Sequence, residues 1–185
     1  SITGLTSGAI YHVRAYATNS AGTSYGNEYS FKTNAVVPTL TTIEISSVTS
    51  TTASGGGNIT SDGGLTVTAR GVCWSTSQNP TTADTKTNDG LGSGAYTSNI
   101  TGLAGNTTYY VRAYATNSVG TAYGDEKSFT TGAIVPALTT VAVTSITSTT
   151  AASGGEVTSD GGSSVTAKGV CWSTTANPTT ADSKT

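Results

Sequence analysis

The chain has 185 residues, about a third of them threonine or serine, with 23 glycines, two cysteines and no methionine. Only 10% of residues are charged and the net charge is −2, which excludes partners held through dense basic patches, such as nucleic acid or an anionic membrane surface. Strong helix formers are scarce and β-branched threonine is abundant, so the composition predicts an all-β protein.

In chain order, residues 1–34 contain an alternating strand, Tyr11-His12-Val13-Arg14-Ala15-Tyr16-Ala17-Thr18-Asn19. Asn34-Ala35-Val36-Val37-Pro38 is read as a joint, because proline removes a donor and holds the preceding residue extended. The next block predicts strands over Leu40–Val48 and Thr51–Thr60, then a tight turn at Ser61-Asp62-Gly63-Gly64. A third strand spans Val67–Thr76 and stops at Asn79-Pro80; Ala83–Thr87 is a short fourth. Asn88 to Gly94 is a glycine-rich loop. Ala95–Ile100, Thr107–Asn117 and Thr121–Thr130 complete seven strands, the number expected of one two-sheet sandwich. Gly132-Ala133-Ile134-Val135-Pro136 is a second joint, and the pattern then restarts.

It restarts because the chain repeats. Residues 1–87 align with 99–185 without a gap at an offset of 98, and 57 of the 87 pairs are identical. A period of this length suits one small domain per repeat rather than a solenoid turn. The expected organisation is the C-terminal part of one sandwich in 1–34, a complete one in 37–132, and the N-terminal part of a third in 136–185. Each partial sandwich is expected to be completed by a neighbouring copy of the same repeat, head to tail. Each repeat should add roughly 30–35 Å of length, from strands of about ten residues at ~3.3 Å per residue.

Alternation along the longest strand places Tyr109, Val111, Ala113 and Ala115 inward, and Tyr110, Arg112, Tyr114 and Thr116 outward. On the third strand Val72 and Trp74 are placed inward. Trp172 and Tyr11 are assigned to the core by equivalence with Trp74 and Tyr109. Leu103 is assigned there too, with the Tyr109 hydroxyl bonding back to its loop.

Leu103, Thr107, Tyr109, Val111, Ala113, Ala115 and Asn117 resemble the end of a fibronectin type III domain, as do Leu5, Tyr11, Val13, Ala15, Ala17 and Asn19. The family's proline before this strand and the tryptophan on its second strand are missing. The runs Ser61-Asp62-Gly63-Gly64, Gly71-Val72-Cys73-Trp74 and Arg112-Ala113-Tyr114-Ala115-Thr116-Asn117 are similar to those of fibronectin-III-like repeats strung in large secreted and surface proteins of bacteria. The resemblance implies tandem immunoglobulin-like β-sandwiches with an extracellular or cell-surface location. It implies no particular ligand, since the fold serves many tasks.

Residues that could carry chemistry are few. His12 is the only histidine and lies on an outward face, so a Ser-His-Asp set has no support. Cys73 and Cys171 occur once per repeat, so no disulfide can form within a repeat. No cofactor is expected; calcium is the one metal considered, with Asp62, Asp84, Asp89, Asp125, Asn79 and Asn88 as oxygen donors at a joint. Asx residues in such contexts otherwise form turns. The leading expectation is a non-catalytic structural repeat of a stalk, filament or adhesin, with no membrane insertion in this segment. The alternative is a module binding carbohydrate or protein through Tyr110, Arg112 and Tyr114, or through the 88–94 loop.

Overall fold

The computed structural model describes residues 1–185 and consists of strands joined by turns, with no helix. Its contacts divide the chain into two compact units. The first holds Ser1–Val48, Thr52–Thr101 and Thr108–Phe129; the second holds Thr49–Thr51, Gly102–Thr107 and Thr130–Thr185. The boundary therefore does not follow the joints read from sequence.

In the first unit, β1 (Ile10–Val13), β2 (Tyr16–Asn19), β3 (Gly22–Tyr25) and β4 (Tyr29–Lys32) form two antiparallel pairs, β1 with β4 and β2 with β3. Next come β5 (Thr39–Thr42), β6 (Ala53–Ser61), β7 (Ala69–Ser75), β8 (Thr85–Lys86), β9 (Gly94–Ile100), β10 (Thr108–Thr116), β11 (Thr121–Tyr123) and β12 (Lys127–Thr130). One sheet has the order β5-β6-β9 and the other β11-β10-β7-β8, with β12 also on β10. First, second and fifth strands thus oppose third, fourth, sixth and last, an immunoglobulin-like arrangement. Leu40, Ile59 and Tyr96 from one sheet and Ala113 and Ala115 from the other meet with Val67 in the core.

The strands are shorter than predicted, most clearly the first, the fourth (only Thr85–Lys86) and the last. β5 ends at Thr42, paired with Gly57 of β6 and next to Gly56, which holds a φ of 150°. The Ile43 N–H still donates to the Gly56 carbonyl at 3.2 Å, and a single bridge, Ser46 to Ser54, follows before Ser47 turns left-handed at 49°. The last strand breaks into β11 and β12 at Gly124, where strand β5 comes so close that a Cβ would lie 2.6 Å from the Thr42 amide nitrogen.

Val72 and Val111 are fully buried, and Trp74 and Leu103 nearly so. Tyr109 is half-buried and its ring stacks on Phe129 at 5.8 Å, as Tyr11 stacks on Phe31 at 5.9 Å. In the first copy the hydroxyl of Tyr11 accepts the Thr6 N–H at 2.8 Å, tying strand to preceding loop. Two assignments fail. Tyr114, predicted outward, is only 3% exposed, because the segment after β7 folds across that face: its hydroxyl donates to the Thr87 carbonyl, and the Cys73 thiol beside it donates to the Pro80 carbonyl. Alternation assigns a face correctly, but only the path of the connecting chain decides whether the face is covered.

Trp172, predicted in the core, is 53% exposed. It belongs to the second unit, built from β13 (Ala137–Thr144), β14 (Ala152–Ser159), β15 (Cys171–Trp172) and β16 (Ser183–Lys184). There β13 pairs with β14 and β15 pairs only with β16. Trp74 is covered because β7 lies between β8 and the long β10; nothing equivalent to β10 flanks β15.

The missing second-strand tryptophan is also explained. β6 carries Gly55, Gly56 and Gly57 in the core, where a Cβ on Gly57 would lie 2.7 Å from both the Ala113 Cβ and the Tyr96 hydroxyl. The bulk comes from Tyr96, whose hydroxyl donates to the Gly71 carbonyl at 2.8 Å. Buried polar atoms stitch the sheets likewise: the Thr42 hydroxyl accepts the Ala113 N–H at 2.9 Å.

Candidate functional site at the poles of the repeat

The predicted binding face is not assembled. Tyr114 is buried, and the Arg112 guanidinium turns back to donate to the Gly124 carbonyl at 3.1 Å while stacking on Tyr123 at 4.7 Å. Arg14 repeats this with Gly26 and Tyr25. Tyr110 alone keeps part of its surface free of such contacts. The arginines brace the sheet edge through cation–π packing.

The 88–94 loop is equally committed to the fold. Arg70 donates to the carbonyls of Asp89, Gly92 and Ser93 and lies 5.0 Å over the Tyr96 ring. The Asp89 carboxylate accepts hydroxyls from Thr87 and from Ser98, which is 1% exposed. No group of three His, Cys, Asp or Glu side chains comes together, and most of the oxygen donors considered for calcium are engaged in turns. Asp62 caps Gly64, Asp84 caps Thr81, Asn88 caps Gly90 and Asn79 takes a left-handed turn. His12 pairs with Glu28 at 3.0 Å on the surface. The Cys73 thiol is buried and pushed up to about 11, mainly by that burial, which disfavours the reactive thiolate.

What the fold does concentrate is backbone geometry where one repeat meets the next. At the first joint the Val36 N–H donates to the Gly63 carbonyl at 2.9 Å, and the Gly8 N–H to Asn34 at 3.2 Å. The Ser61 hydroxyl and Asp62 carboxylate accept the Gly63 and Gly64 N–H groups, forming an Asx-type turn with φ of 73° and 86°. A Cβ on Gly63 would lie 2.1 Å from the Val36 carbonyl oxygen, and one on Gly64 would lie 2.5 Å from that of Ser7. Only glycine fits such an approach.

The same joint recurs 98 residues later, within the second unit. Ile134 N–H donates to Gly161 at 2.8 Å, and Asn106 N–H to Gly132 at 3.0 Å. Ser159 and Asp160 cap Gly161 and Gly162, whose φ values are 70° and 83°. A Cβ on Gly161 would meet the Ile134 carbonyl oxygen at 1.9 Å, and one on Gly162 the Asn106 Cβ at 2.7 Å. Asn106 stands where the first copy has Gly8; both are left-handed, at 46° and 67°, and asparagine tolerates that region.

Asn117 completes the first joint. It is 3% exposed, donates to the carbonyls of Val36 at 2.7 Å and Asp62 at 2.8 Å, and accepts the N–H groups of Val119 and Gly120. All four bonding positions of its amide are used. From sequence, Ser61–Gly64 reads only as a tight hairpin turn; the signal for more is the unchanged return of these four residues as Ser159–Gly162.

The strand order defines the class, an immunoglobulin-like β-sandwich. No family model and no curated protein matches the chain. Solved structures to which it is similar include domains d3-d4 of the rat CD45 extracellular region, at 14% identity over 71% of this chain and 68% of that one, TM-score 0.49. Domains A168-A170 of titin show 22% identity over 68% and 41%, TM-score 0.40. The chicken CNTN1 FN1-FN3 domains show 17% identity over 70% and 45%, TM-score 0.40. The chain spans less than half the length of the latter two.

Proposed function

We propose that this chain is part of a non-catalytic spacer, a run of fibronectin-III-like sandwiches in an extracellular stalk, filament or adhesin whose neighbouring repeats meet head to tail. The observation that carries this is where the chain enters and leaves the complete repeat. It enters beside the Thr116 end of β10, where Asn117 holds Val36. It leaves through β12, after β11 has paired from Thr116 back to Tyr114 and the chain has run on along β10. Entry and exit are therefore at opposite poles, and each repeat extends the array by about the length of a strand, roughly 30 Å. Few charges, side chains spent on bracing the fold, and the resemblance to bacterial surface repeats support the same reading.

Electron microscopy of the whole protein tests it. Rods whose length grows by roughly 30–35 Å per 98-residue repeat are expected. Compact particles whose size ignores repeat number would overturn the spacer. Saturable binding of a glycan or protein, abolished by Tyr110→Ala or a change at Leu91 on the 88–94 loop, would favour the binding module instead.

A further inference from the structure

We infer that the Ser-Asp-Gly-Gly turn is a docking latch, a surface built to receive the loop of the preceding repeat in one orientation. The inference rests on the spacer reading and adds to it: the array is stiff at its joints, not a string of freely pivoting beads. Two independent joints carry it. In each, the second glycine of the turn opposes the same backbone, Ser7 and Gly8 at the first and Gly105 and Asn106 at the second. In each, the linker residue, Val36 or Ile134, donates to the first glycine's carbonyl. The contact is made by backbone atoms, joined at the second joint by the Asn106 Cβ, with no room for a Cβ on either glycine of the turn. Such an approach tolerates little sliding, because a shift of one ångström either clashes or breaks the bond. The recognised partner is hence another copy of this repeat, through the loop that ends in Gly8 or Asn106. The residues facing the latch differ between copies, yet both hold a left-handed φ. It is the backbone shape that is matched.

Amide hydrogen exchange on the 185-residue chain, read at Val36 and Ile134, tests the latch. Gly64→Ala places a methyl against Ser7 and Gly8, and Gly162→Ala does so against Gly105 and Asn106. Gly90→Ala serves as the control, since it has a φ of 91° and open space around its Cβ, so it carries the backbone strain without the clash. Exchange at Val36 should quicken at least about tenfold in Gly64→Ala with Ile134 unchanged, and the reverse should hold in Gly162→Ala. Unchanged protection, or equal loss from Gly90→Ala, would overturn the latch. A second measurement needs no destabilising variant: spin labels at the exposed residues Ser24 and Thr97 should give one narrow distance distribution. A broad one would sink the latch, while rods of the expected length would still leave the spacer standing.

Discussion

The Tyr114 hydroxyl donates to the Thr87 carbonyl at 2.6 Å, beneath the chain that crosses the second sheet. The directly opposite neighbour of Tyr114 on β7 is Gly71, where a Cβ would lie 2.9 Å from the tyrosine ring. The ring therefore lies over Gly71 on the outer face of the sheet. Tyr114→Ala should cost about 3–5 kcal/mol, the range for truncating a buried aromatic. Tyr114→Phe should cost about 1 kcal/mol, by stranding the Thr87 carbonyl. Urea denaturation of both variants measures the difference; a negligible loss from Tyr114→Ala would mean that the crossing segment is not packed on the sheet.

Trp74 and Trp172 occupy equivalent positions in the repeat, yet one is 8% and the other 53% exposed. In the 185-residue chain, the variant retaining only Trp74 should show blue-shifted fluorescence that acrylamide quenches weakly. The variant retaining only Trp172 should emit to the red and quench readily. Identical spectra would contradict the difference in cover.

Gly57 faces Ala113 and the Tyr96 hydroxyl across the core. Gly57→Ala overpacks that contact and should destabilise the fold by about 1–3 kcal/mol, although alanine is ordinarily harmless in a strand. Pairing it with Tyr96→Phe should recover part of the loss, because the obstructing oxygen is then gone. A double-mutant cycle with no coupling would refute the close approach.

Alkaline pH should weaken the protein. Burial raises the Cys73 thiol from its ordinary value near 9 to about 11, and raises the Tyr96 and Tyr114 phenols, with the Asp89 carboxylate adding to both tyrosines. The folded state thus keeps protons that the unfolded chain releases, so the stabilisation is complete below the unfolded pKa and is lost as pH rises through the folded one. The denaturation midpoint should hold through neutrality and fall above about pH 9, continuing past the Cys73 value. Cys73→Ala should flatten the first part of that decline. A midpoint that climbs across this range would contradict the direction of all three shifts.

Much of the architecture was legible in the residues themselves. The 98-residue period, the all-β class, the alternation that buries Val72, Trp74, Val111, Ala113 and Ala115, and the turn at Ser61–Gly64 all depend on local spacing and local backbone preference. Such information is written within a few residues of where it acts. What the three-dimensional fold decided involves residues far apart in the chain. Tyr114 is buried where the chain after β7 crosses from Pro80, bonded to Cys73, to Thr82, bonded to Tyr123, before β8 pairs with β7 and brings the Thr87 carbonyl to its hydroxyl. Arg112 and Arg70 look like free cations in sequence, but each finds carbonyls and an aromatic ring beyond its own strand. The glycines of the Ser61–Gly64 turn serve two purposes: their positive φ is a local demand that the sequence displays, whereas the missing Cβ makes room for the backbone of the preceding repeat. Alternation and turn preference report how a segment is shaped; only closure of the two sheets and docking at the joint decide what comes to rest against it.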